Sequence, residues 1–260
     1  MKIVLKKETK NVSNTFVKVR SNMDESESYR LCVRADALRF ANLHRESISK
    51  YLQSIMIERK NPDAFYGLGV SHKYLGNYDK AIEYLLKAIE DGSDNSNTYY
   101  ELGICNLLNG RPDCAIKSLI KSIEIDPKNL EAQIQLALAH EVMGEDNLAM
   151  AIYDKLIESN KGYLKSYSHK AALLICQGKY FEASKLFFKT IKLNPNYSKA
   201  YLGMGVCFEN LNKKTDAKRY YKKFLEMKPA SKHADFVESK LGNLRKSTQV
   251  SNPFEIVHKL

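Results

Sequence analysis

No stretch of the 260-residue sequence approaches the roughly 20 consecutive apolar residues that span a bilayer, so no transmembrane segment is expected. The first ten residues, MKIVLKKETK, return to charge after three apolar residues and do not read as a secretory signal. Cysteine is sparse and odd in number, with five residues (Cys32, Cys105, Cys114, Cys176 and Cys207) and no CxxC pair. That spacing argues against a disulfide framework and a zinc site, and it favours a reducing compartment, read here as the cytoplasm. Also missing are a phosphate-binding Walker loop and a GxSxG nucleophile elbow. The six histidines (His44, His72, His140, His169, His233, His258) never stand four apart as helix-borne zinc ligands do. Gly67-x-Gly69 and Gly203-x-Gly205 resemble the start of a dinucleotide loop, but His72 and Phe208 stand where its third glycine belongs. No catalytic residue, metal site or cofactor is expected.

Hydrophobic residues make up 44% and charged residues 27%, the balance of a folded globular protein. The net charge of +11 is unevenly spread: residues 1–61 carry +6, residues 62–163 carry −7, residues 164–247 carry +12, and the tail is neutral. An acidic middle between basic ends is a poor fit to one continuous phosphate-tracking groove. Most of the lysines read as a solvated helix surface.

A period organises the chain. Stepping by 34 from Ala81 reaches Ala115, Ala149, Ala183 and Ala217, and one step back lands on Ser47. A second series at the same step reads Ala35, Gly69, Gly103, Ala137, Ala171, Gly205, and a third reads Asn42, Gly76, Gly110, Gly144, Gly178, Asn212. The first two series mark places where paired helices approach closely, which requires small side chains. The third falls between the helices, where the chain leaves through a left-handed residue, best served by glycine and next by asparagine. Pro127, Pro195 and Pro229 recur near unit ends, where proline stops a helix. Between these marks the apolar residues keep helical spacing: Tyr99, Leu102, Gly103 and Asn106 form one stripe, and Ala115, Leu119, Ser122 and Ile123 the next.

The chain here resembles the tetratricopeptide repeat (TPR) family, with its W-x2-L-G-x2-Y, A-x3-F and terminal P pattern. Phe65-x2-Leu68-Gly69, Tyr99-x2-Leu102-Gly103 and Tyr201-x2-Met204-Gly205-x2-Phe208 stand in the first block. Ala81-x3-Leu85, Ala149-x3-Tyr153, Ala183-x3-Phe187 and Ala217-x3-Tyr221 stand in the second. The departures are local: Asn42 replaces a glycine in the first repeat, Lys161 replaces the fourth repeat's terminal proline, and Lys170 stands for a leucine. The expected architecture is an all-α, right-handed α-solenoid of six helix-turn-helix units at 28–61, 62–95, 96–129, 130–163, 164–197 and 198–231. A capping helix over 232–247 covers the last unit, with Phe236, Val237, Leu241 and Leu244 facing inward. In residues 1–27, KIVLK and TFVKV alternate like short strands, compatible with either a small hairpin or a mobile extension. The tail at 248–260 contains Asn252-Pro253-Phe254, which resembles the NPF ligands of endocytic adaptors and is better explained as an ordinary turn.

Resemblance to this family implies that the first helix of each unit lines a concave groove. The family's groove places hold Cys32, Asp36 and Arg39 in the first unit, then Tyr66, Val70 and Lys73, Tyr100, Ile104 and Leu107, and Ile134, Leu138 and Glu141. Ser168, Ala172 and Ile175, and Leu202, Val206 and Glu209 follow. A peptide-binding groove over Tyr66, Val70, Lys73, Tyr100, Ile104, Leu107, Ile134 and Leu138 is therefore expected, aromatic and apolar with cations at its N-terminal end. The family's carboxylate clamp is not expected, because Asp36 and Glu101 would repel a carboxylate. The function implied is a non-catalytic adaptor for a protein or peptide segment. The alternative is a module for an anionic partner, nucleic acid or membrane surface, using Lys165, Lys199, Lys213, Lys214, Lys218, Arg219, Lys222 and Lys223.

Overall fold

The computed structural model describes residues 27–249. The strand-like segments expected before residue 27 and the NPF tripeptide lie outside the described residues. The chain divides into two compact units at Gly144/Glu145, within the stretch expected as the fourth repeat. Among the described residues every regular element is an α-helix. The fold is an all-α solenoid.

The first unit contains α1 (27–40), α2 (His44–Ile57), α3 (Pro62–Tyr74), α4 (Tyr78–Glu90), α5 (Ser96–Leu108), α6 (Pro112–Ile125) and α7 (Leu130–Val142). From α2 onward each helix packs against the next in sequence, α3 also meets α5 as α5 meets α7, and Cys32 and Ala35 of α1 share a buried cluster with Tyr51 of α2. Helix exits follow the small-residue series. Asn42 has φ 61° and Gly110 φ 70°, a left-handed turn that lets the following amide reach back and cap the helix. Leu43 N donates to Leu38 O at 2.9 Å, and Arg111 N donates to Asn106 O at 2.8 Å. Helix entries carry a second signal at the same period. The side chains of Asn61, Asn95 and Asn129 each accept from the backbone N–H three residues on, at 2.9, 3.1 and 3.0 Å, satisfying donors the first turn leaves open.

The close approaches are real. Ala35, Ala81, Ala115 and Ala137 are fully buried, and a Cβ on Gly69 or Gly103 would lie 2.6 Å from Cγ of Leu85 or Leu119. Serine fills other tight positions and needs partners there, because a buried hydroxyl without one is costly. Ser28 and Ser54 share a hydrogen bond of 2.8 Å and Ser96 and Ser122 one of 3.0 Å, with Asn61 donating to Ser28 and Asn129 to Ser96.

The second unit contains α8 (Asp146–Ser159), α9 (Leu164–Cys176), α10 (Tyr180–Leu193), α11 (Ser198–Asn210), α12 (Lys214–Met227) and α13 (Ala234–Gln249). Its helices also pack sequentially, with Ala149, Ala171, Ala183 and Ala217 fully buried. Helix α13 covers α12: Val237, Leu241 and Leu244 pack on Ala217, Tyr221 and Phe224. Phe236, expected to face inward with them, is 48% exposed. It points outward because Val237 and Leu241, four apart, already define the covered stripe.

Glycines in mid-helix have a packing cause. Gly67 of α3 lies against the Tyr51 ring, and Gly203 of α11 lies against Phe187. The Gly-x-Gly pairs that resembled a nucleotide loop are thus helical positions facing bulky side chains, Tyr51 and Leu85 in one pair and Phe187 and Tyr221 in the other.

Candidate functional site

The candidate site is the face that α3, α5 and α7 present within the first unit. Tyr66, Tyr100, Ile104, Leu107 and Leu138 are half-buried there. Each tyrosine is seated on the core: Tyr66 packs against the buried clusters that contain Leu68 and Leu102, and Tyr100 and Leu107 against the cluster that contains Leu119 and Ala132. Val70 and Ile134, expected beside them, are 3% and 1% exposed. Their spacing places them on the same helices as the half-buried residues, but both are covered by the surrounding packing.

The cations expected at the N-terminal end of this face are already engaged. Lys73 donates to Glu101 at 2.6 Å, with side-chain exposures of 11% and 14%. Arg39 donates to Asp36 at 2.6 Å and to the Tyr51 hydroxyl at 3.1 Å, while Tyr51 donates to Asp36 at 2.7 Å. A half-buried ion pair holds its partners because breaking it leaves an uncompensated charge. Periodicity assigns Lys73 to the face, and in the structure Glu101 takes its charge.

The phenols show the electrostatic character of the face. Burial raises Tyr66 to about 12, with Glu101 adding to the effect. Burial likewise raises Tyr100 to about 12, with Glu101 and Glu131 adding. Both hydroxyls therefore stay protonated as donors at neutral pH. At one edge, a cleft of about 380 Å3 is lined by Asp63, Tyr66, Ser93, Asn95, Asn97 and Asp126, among others.

Two buried thiols and one buried histidine behave as packing groups. Cys105 and Cys207 are fully buried, and burial pushes both up to about 12, far from the thiolate a nucleophile needs. His72 is 8% exposed and stacks on Tyr84 at 5.4 Å. Burial lowers its pKa, with Lys80 adding to the shift. As pH falls below about 6.5, the unfolded chain takes up this proton before the folded one does. Stability is therefore full above that pH and lost below it, a loss shared with His44, whose pKa burial also lowers. His72→Phe is expected to lose less of its urea midpoint between about pH 7.5 and about pH 5.5 than the unaltered protein. Equal losses in both proteins would remove His72 as a source of the acid sensitivity.

The basic residues proposed from the sequence lie in the second unit, Lys165 on α9, Lys199 on α11 and the rest on α12 or at its start. Lys199, Lys213, Lys214, Arg219, Lys222 and Lys223 are exposed and Lys218 is half-buried. Arg219 pairs with Asp216 at 3.3 Å and Lys223 with Glu226 at 3.0 Å, while Lys213 lies over the Phe208 ring. Lys170, the departure in the fifth repeat, pairs with Asp154. Among the described residues no group of three His, Cys, Asp or Glu converges as metal ligands, and no helix is long and apolar enough to cross a membrane.

The comparisons agree with this architecture. The tetratricopeptide repeat model matches residues 62–90, and the coatomer epsilon subunit model matches residues 111–244. No curated protein matches the sequence. Among solved structures, the type IV pilus biogenesis factor PilW is similar at TM-score 0.68 and 18% identity, covering 81% of this chain and 97% of that one. A tetratricopeptide repeat protein from Parabacteroides merdae is similar at TM-score 0.67 and 17% identity, covering 84% of each chain. YrrB, described as a TPR protein with an unusual peptide-binding site, is similar at TM-score 0.57 and 19% identity, covering 71% of this chain and 95% of that one. At these identities the likeness is one of fold. The chain is a tetratricopeptide repeat protein, and the coatomer epsilon subunit model, which matches more than half of it, places it in that family.

Proposed function

We propose that the protein is a non-catalytic adaptor that holds a segment of another protein on the α3–α5–α7 face, within a repeat array bounded as the 34-residue period sets out. The observation that carries this reading is the row of half-buried aromatic and aliphatic side chains Tyr66, Tyr100, Ile104, Leu107 and Leu138, of which Tyr66, Tyr100 and Leu107 are anchored on the core beneath. Anchored aromatic groups with protonated hydroxyls supply large contact area and a directional donor at low entropic cost. The family's role in protein–protein interaction supports the reading, as does the peptide-binding site named for YrrB. Five free cysteines, three of them buried, suit a reducing, cytoplasmic setting.

Affinity capture from a lysate of the source organism, run at low and at moderately high salt, tests the proposal. Protein partners retained at both salts should be lost with Tyr66→Ala/Tyr100→Ala, a change expected to weaken binding by about 30-fold or more at about 1 kcal/mol per truncated anchor. Because both rings also touch the core, the variant is first shown to be folded by circular dichroism. Retention of the same proteins by the folded variant would move the binding site elsewhere. Nucleic acid or lipid retained at low salt alone would assign the function to the α12 lysines instead.

A further inference from the structure

Helix α10 of the second unit is apolar on two sides. Ala183 and Phe187 bury one of them in the core. The opposite side leaves Phe181 56% and Phe188 48% exposed, with Leu193, also 48% exposed, near its C-terminal end. Steps of four, three and four set Phe181, Lys185, Phe188 and Lys192 in a single outward row. The Lys185 ammonium lies 4.3 Å from the Phe181 ring centroid, and that of Lys192 lies 4.9 Å from the Phe188 centroid. Lys189, beside the row, lies 5.0 Å over the ring of Tyr167 on α9. A ring attracts the ammonium but leaves its positive charge uncompensated. Lys185, Lys189 and Lys192 form no ion pair among the described residues, whereas Lys170, Arg219, Lys223 and Lys240 of the same unit each do. Helix α10 therefore carries three lysines against one carboxylate, Glu182.

Independently of the adaptor reading, we propose that this row is a second interaction surface, which lays α10 on an anionic phospholipid bilayer. Phe181 and Phe188 enter the boundary between headgroups and acyl chains, and Lys185, Lys189 and Lys192 meet the lipid phosphates. Two rings standing out from one helix need no matched pocket in a fluid interface, whereas a protein partner would need a hollow shaped for each. The lysine stems lie along the rings while their ammonium groups reach the headgroups. Anionic lipid supplies the countercharge that the chain itself does not, and apolar insertion and electrostatic attraction reinforce one another. A nucleic-acid strand fits less well. Its bases stack on open aromatic faces, and an ammonium already stands over one face of each phenylalanine.

Co-sedimentation of the full chain with vesicles tests the proposal, comparing phosphatidylcholine alone with a phosphatidylcholine–phosphatidylserine mixture. The chain should bind the mixed vesicles and leave the neutral ones. Lys185→Gln/Lys192→Gln should weaken binding by about 30-fold, about fivefold for each lysine. Phe181→Ser/Phe188→Ser keeps every charge and should still lose about tenfold or more. All four side chains are exposed, so both variants should melt close to the unaltered protein. Lys213→Gln/Lys214→Gln removes two exposed charges from the same unit and should cost less than the α10 pair. Absence of binding to the mixed vesicles, or binding indifferent to the phenylalanine change, would overturn the proposal. An equal loss from the Lys213 and Lys214 changes would overturn it too, by showing adsorption through net charge alone. Displacement by a single-stranded oligonucleotide whose own binding requires Phe181 and Phe188 would give the row to nucleic acid instead.

Discussion

Tyr221→Ala is expected to lower the unfolding free energy by about 3–5 kcal/mol, as other large-to-small core changes of aromatic residues do. Tyr221 is fully buried and stands at the centre of the contact between α12 and α13, with Phe224, Val237, Leu241 and Leu244 around it. Its ring also lies over Gly205 of α11, where an added Cβ would have no room. Removing the ring takes a wedge from three helices at once. The hydroxyl donates to Glu209 at 2.7 Å, and Lys240 of α13 donates to the other oxygen of that carboxylate at 2.9 Å. Tyr221→Phe keeps the wedge and removes that donor, with a smaller expected cost of about 1.5–3 kcal/mol for a hydrogen bond to a charged group. Urea unfolding followed by circular dichroism measures both, and hydrogen exchange of the α13 amides shows whether the capping helix opens first. A Tyr221→Ala cost below that of Tyr221→Phe would mean that the ring does not carry the packing assigned to it.

The second large effect is expected at Gly67. In an exposed mid-helix site, glycine to alanine stabilises by up to about 1 kcal/mol, because alanine is the better helix former. Gly242 in α13 is such a site, with open space where a Cβ would stand, and Gly242→Ala should gain stability. At Gly67 the new Cβ would come within 2.5 Å of Tyr51 Cε1. Tyr51 cannot retreat: it is 1% exposed and pinned through its hydroxyl to Asp36 and Arg39. Overpacking of this kind costs about 1–3 kcal/mol, so the sign reverses, and Gly67→Val should be worse than Gly67→Ala. Thermal melts of the three variants check the ordering. A stabilised Gly67→Ala would show that the α2–α3 contact is looser than the ring geometry requires.

Both effects illustrate where the sequence was informative. Alanine and glycine recur every 34 residues because close helix contacts recur, and the left-handed turns recur because each hairpin must reverse the chain. Such constraints act on residue type directly, so a single sequence displays them. The period also contains a signal at the helix entries: Asn61, Asn95 and Asn129 cap successive first helices. The reason for Gly67 and Gly203 was not legible, since it lies in a ring sixteen residues earlier in each case, Tyr51 and Phe187. Nor do the buried serines announce themselves, because Ser54 and Ser122 are ordinary helix residues until Ser28 and Ser96 are seen beside them.

The sequence by itself determined the helical period, the repeat class and the turn residues. Each of these depends on spacing along one helix or on one residue's own conformational preference. Only the tertiary structure decided which face residues are open and which charges are spent. Val70 and Tyr66 sit four apart on one helix, yet the surrounding packing covers the first and leaves the second half-open. Lys73 and Glu101 lie 28 residues apart on different helices and meet at 2.6 Å, turning an expected cationic end into a neutral one. Burial and charge pairing are relations between helices, so no periodicity within a single helix encodes them.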